Sequence, residues 1–109
     1  MQAPLVASLL LVALGAAPRT QTFTGTITDE MCATPAGHAQ MRMGPTDAEC
    51  TIACVEAHGA RYVLYDGKHA YVLSDQKTPA TLAGQRVTVT GTLDAKTHTL
   101  QVVSIRASK

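Results

Sequence analysis

Seven side chains able to bind soft metal ions fall between residues 31 and 54 of a 109-residue chain: Cys32, Cys50, Cys54, His38, Met31, Met41 and Met43. They include every cysteine and three of the four methionines. The thiols and the imidazole follow the spacing C-x5-H-x11-C-x3-C, which is not a standard zinc-finger spacing, so the argument for a metal rests on stoichiometry. Three cysteines cannot all pair as disulfides, whereas three thiolates and one imidazole complete a tetrahedron. Such a closed set leaves no coordination position for water or substrate, which is the mark of a structural site. Zinc is the first expectation for Cys32, His38, Cys50 and Cys54, because that set needs no methionine. Copper(I) is the second, with Met31, Met41 and Met43 as additional soft ligands. The competing reading has no metal: Cys32 bridges Cys50 or Cys54, and the remaining thiol is a small buried apolar group. Closing a loop of that length would contribute about 3 kcal/mol in the chain-entropy model.

Catalytic chemistry finds little support in the sequence. Asp29, Asp47 and Glu49 are carboxylates near the cluster, but no nucleophile stands in a recognisable relation to a base. A thiol oxidoreductase would need a motif such as C-x-x-C, and the helical pair is C-x-x-x-C. There is no phosphate loop, dinucleotide fingerprint or nucleophile elbow. The chain therefore reads as non-enzymatic. Asp29 and Glu30 read as solvated carboxylates after a strand, or as groups that orient a ligand histidine. His58, His69 and His98 read as surface or strand residues. Tyr62, Tyr65 and Tyr71 are candidates for a ligand-stacking face in the disulfide-stapled alternative, an interaction module without metal.

The elements that would position the cluster are written locally. Thr46 with Glu49 forms a capping box and Gly59 a left-handed stop, which predicts a helix over 47–58 with Cys50 and Cys54 stacked on one face. Upstream, 29–45 reads as a loop from its Gly and Pro content. Alternating residues predict a first strand over 22–28. Two β-rich runs at 61–65 and 69–74 join through Asp66-Gly67, a hairpin pair that tolerates positive φ. A single helical turn is expected at 79–84, then strands at 85–93 and 98–106 around a turn at 94–97. Five strands with a helical turn between the third and fourth match the order of a five-stranded OB-like barrel, a mainly β fold, with the short helix inserted between strands 1 and 2. Gly25 and Gly91 inside strands suit the sharp bends of a small barrel.

The stretch Phe23 to Asp29, Met31-Cys32, His38, Cys50-Thr51-Ile52-Ala53-Cys54-Val55, Ala60 to Leu64 and Val87 to Leu93 resembles a group of small exported bacterial proteins of unknown function. These are common in soil bacteria of the acidobacterial kind and similar to OB domains. The resemblance spans 22–106 and implies the fold, export and a Cys/His cluster at Cys32, His38, Cys50 and Cys54. It implies no activity.

From Ala3 to Ala17 the chain is apolar apart from Ser8, too short for a confident membrane span and the right length for a secretory signal. Small residues at Ala13 and Gly15 predict a signal peptide over 1–15, or to 17, and a single domain over 22–106 that is periplasmic or secreted, with no stable membrane insertion after cleavage. No cysteine follows the apolar run, so lipidation is not expected. The mature domain would hold about ninety residues, a size at which a core commonly needs a metal or disulfide staple. A net charge of +1 with singly scattered Lys and Arg argues against electrostatic nucleic-acid binding. No other partner is indicated.

Overall fold

The computed structural model describes residues 2–3 and 19–108. The expected signal peptide lies almost wholly outside them. Among the described residues 38% are strand against 23% helix, so the chain is mainly β, with a five-stranded sheet and one α-helix.

The strands are β1 (Gln21–Asp29), β2 (Tyr62–Tyr65), β3 (Ala70–Leu73), β4 (Arg86–Asp94) and β5 (Thr99–Ala107), each close to its predicted span. The pairings run β1-β2-β3-β5-β4 and β4 returns to β1, so the sheet closes on itself. All the neighbours are antiparallel except β3 and β5, which run parallel through Val72 with Thr99 and Leu73 with Leu100. Inside the closed sheet, Ile27, Tyr62, Leu64, Leu73, Val87, Val89 and Leu100 form one apolar core. Two glycines permit the curvature. A Cβ on Gly25 would sit 2.6 Å from the Tyr65 carbonyl oxygen, and one on Gly91 would collide with the Gln101 carbonyl at the register shift between β4 and β5.

The helix α1 (Asp47–His58) stands between β1 and β2, as the sequence predicts. Thr46 Oγ1 accepts from the Glu49 amide at 3.1 Å, and the same hydroxyl donates to Glu49 Oε2 at 3.0 Å. At the far end Gly59 takes φ 67°. The helix is docked by Val55, which packs on the sheet's core, and by Thr51, whose hydroxyl lies 3.4 Å from that of Thr28. One element in the connecting loop was not predicted, a 3-10 turn at Gly37–Gln40, which fixes the backbone of His38. A second 3-10 turn, Thr78–Leu82, covers the place where a helical turn is expected. Among the described residues no helix is long and apolar enough to cross a membrane.

Candidate metal centre

A second core lies where α1 meets the end of β1. It consists of Cys32, Cys50 and Cys54, all buried, with Met41, Met43 and Ala60 packed around them. The helix supplies Cys50 and Cys54, four residues apart and therefore one turn above each other. Cys32 is brought in by a tight reversal after β1. The Asp29 side chain accepts the Met31 amide at 3.0 Å and the Asp29 carbonyl accepts the Cys32 amide at 3.1 Å. Outside this reversal, Glu30 and Arg61 clasp the loop to the start of β2 through both backbone and side chains, with Arg61 Nε donating to Glu30 Oε1 at 2.8 Å. That guanidinium holds the Glu30 carboxyl below the usual carboxylate range.

All three cysteines are free thiols. Cys32 and Cys50 stand 4.0 Å apart at sulfur, about twice a disulfide bond length. The expected alternative of a Cys32 bridge is thus not what the structure contains: the sulfurs converge without bonding. Cys50 is bracketed by backbone, its thiol donating to the Met41 carbonyl at 2.7 Å and its sulfur accepting the Met43 amide at 3.3 Å. Hydrogen bonds of the latter kind also serve thiolates bound to metals, by holding the sulfur and spreading its charge.

Of the four predicted ligands, Cys32, His38 and Cys50 offer donor atoms that all lie within 4.8 Å of one another. Cys54 joins through Cys32, in a second trio of the same tightness whose third member is Asp29. Asp29 is the residue that sequence reasoning misplaced. It is 0% exposed, not solvated, and its Oδ1 has no hydrogen-bond partner. The signal was present in the alternation: Phe23, Gly25 and Ile27 point inward along β1, and Asp29 shares their parity. His38 is half-buried. Its Nε2 lies 3.5 Å from Thr28 Oγ1, while its Nδ1 is buried without a partner. With the proton on Nε2 directed at Thr28, Nδ1 presents a lone pair, the arrangement in which a second-nitrogen hydrogen bond fixes the tautomer of a ligand histidine.

The methionines divide. Met31 is 40% exposed, whereas Met41 and Met43 are partly buried against the sulfur core. Met43 Sδ accepts from the Cys54 thiol at 3.9 Å.

Two of the three thiols, Cys32 and Cys54, are disfavoured as thiolates in the absence of a cation. Burial pushes the Cys32 thiol well above its ordinary range, and the charge of Asp29 and the neighbouring Cys50 push in the same direction. Burial likewise raises Cys54, with Asp29 adding to it. A bound cation inverts this balance, because it favours the charged forms of the same sulfurs and of the carboxylate beside them. Buried polar atoms are almost always satisfied, and here Asp29 Oδ1 and His38 Nδ1 are not, on residues that each group with two of the three sulfurs: His38 with Cys32 and Cys50, Asp29 with Cys32 and Cys54. The donor set fits a borderline or soft cation.

The three tyrosines do not form a shared face. Tyr62 is 4% exposed and belongs to the apolar core, Tyr65 has the opposite strand parity and donates to the Gly67 carbonyl, and Tyr71 packs between the rings of His69 and His98. Comparison with protein-family models, with curated proteins and with solved structures finds no match to this chain.

Proposed function

We propose that the chain is an exported, non-enzymatic OB-type domain whose loop-and-helix insertion holds one metal ion. The strand order and the closing β3–β5 pairing support the OB reading. The apolar run at 3–17 supports export. The ion is bound by Cys32, Cys50 and Cys54 with His38, and Asp29 is available as a fifth donor or as the group that steadies the ligands. The observation that carries this reading is that Cys32 belongs to two tight donor trios, one with His38 and Cys50 and one with Asp29 and Cys54, while the three thiols are unbonded and Asp29 Oδ1 and His38 Nδ1 are buried without a partner. Three thiolates and an imidazole suit Zn(II) directly. The thioether of Met43 against Cys54 favours Cu(I) as the second reading.

The test is metal analysis of the mature domain purified without a histidine tag, with thiols counted under denaturation before and after chelation. One ion per chain and three thiols released by the chelator support the site, and Cys32→Ser or Cys50→Ser abolishes stoichiometric binding. A chain that takes up neither Zn(II) nor Cu(I), or that shows one disulfide and one thiol, overturns it.

A further inference from the structure

His58 was expected to be a plain surface residue, and it is exposed. Its Nε2 nevertheless lies 3.1 Å from Met43 Sδ, the same sulfur that lies 3.9 Å from Cys54 Sγ. Cys50, Cys54 and His58 follow one another at four-residue intervals along α1, so they form one stripe that runs from buried to exposed. Met43 comes from the loop and bridges the last two members. The result is a chain of three soft or borderline donors leading from solvent to the sulfur core. Metal–sulfur bonds are about 2.3 Å long, so two donors closer than about 4.6 Å can hold one ion between them during transfer. Both gaps here are shorter than that.

We infer that Met43 and His58 form the port through which Cu(I) enters and reaches Cys54. The chemistry selects the ion, since a thioether is a ligand for Cu(I) and a poor one for Zn(II), while imidazole serves either. Copper bound by a small chelator is first taken by Met43 Sδ and His58 Nε2, and the chelator leaves. The Cys54 thiol then gives its proton to water as its bond to copper forms, and the bond to His58 breaks. Copper stays monovalent throughout, so no oxidant or reductant takes part. The inference rests on the proposed cysteine centre, because Cys54 is its terminus, and it adds a route that centre does not itself require.

The experiment loads the full mature chain with Cu(I) from a colorimetric chelator under anaerobic conditions and follows the transfer by stopped flow. It compares the wild type with Met43→Leu, His58→Gln and the double variant. Leucine preserves the volume at Met43, and glutamine is tolerated on the exposed last turn of α1. Circular dichroism confirms that both retain the fold. The double variant is expected to load Cu(I) about tenfold or more slowly and to slow Zn(II) loading far less. Equal Cu(I) loading rates in wild type and double variant overturn the port and leave the cysteine centre standing. Equal slowing of Zn(II) also overturns it, since the pair would then be a structural prop. A wild type that binds neither ion removes the centre itself.

Discussion

The molecule has two cores built on opposite terms. In the closed sheet, Leu64, Leu73, Val87, Val89 and Leu100 bury hydrocarbon against hydrocarbon, and the backbone polar groups around them are used up in strand pairing. Beside it, Cys32, Cys50 and Cys54 are as deeply buried, but they group with Asp29 and His38, each of which keeps a buried polar atom without a partner. The first core is complete with protein atoms alone. The second leaves Asp29 Oδ1 and His38 Nδ1 without a protein partner, and a cation would satisfy sulfur, nitrogen and oxygen together. The difference teaches where to look for function: in the region whose burial is not explained by packing.

The sharpest way to break this comparison is to damage the sheet core. Leu64→Ala removes a fully buried side chain and is expected to cost about 2–5 kcal/mol of global stability. Urea unfolding measures the loss, which is the same with and without a chelator. Chelation of the wild type should behave oppositely. Amide exchange should rise across 30–60 while the β4 and β5 amides keep their protection. If chelation loosens β4 and β5 as much as the insertion, the two regions are one cooperative unit and the contrast fails.

Most of the sheet was legible because its signals are local. Alternation marked the strands, Asp66-Gly67 the hairpin, and Thr46 and Gly59 both ends of α1. The parallel closure between β3 and β5 was legible only through the overall order of elements, since nothing in Ala70–Leu73 specifies its second neighbour. In the site, the ligand types announced themselves, while their surroundings depended on parity and on long-range approach. Asp29 was read by its charge, although its parity with Ile27 placed it inside. Tyr62 was read as a face residue, although it alternates with Leu64. His58 looked isolated because its partner, Met43, lies fifteen residues earlier, across a loop whose course no periodicity specifies.

Asp29→Asn sharpens the contrast in the second core, because its two consequences have opposite signs under the two roles open to Asp29. In the metal-free protein, removing the negative charge relieves one cause of the raised Cys32 and Cys54 thiols. Their reaction with iodoacetamide should therefore turn on at lower pH than in the wild type. If Asp29 only raises those thiols, easier deprotonation makes metal binding tighter. If it holds the ion or steadies its ligands, affinity falls about 10–100-fold despite the more acidic thiols. The expected outcome is the fall, measured by competition against a chromophoric chelator. Tighter binding would exclude Asp29 from the metal centre.

The smallest expected effect concerns the helix that joins the two cores. Thr46 satisfies the Glu49 amide at the start of α1, so Thr46→Ala leaves that donor to water and should cost about 1 kcal/mol. How that cost is felt depends on what holds the helix down. Its apolar anchor is Val55, and it is also held by the Thr28–Thr51 hydroxyl contact, by the close approach of Gly84 to Ala48 and by the cysteine cluster. With a metal bound at Cys50 and Cys54, fraying of the first turn is resisted from within the helix, and exchange of the amides at 48–51 should change little. Without metal the same substitution should speed their exchange about fivefold, the kinetic equivalent of about 1 kcal/mol in a local opening equilibrium. An equal effect in both states would mean that the sheet, through Val55 and Thr51, sets the helix stability, and that the ion contributes nothing to it.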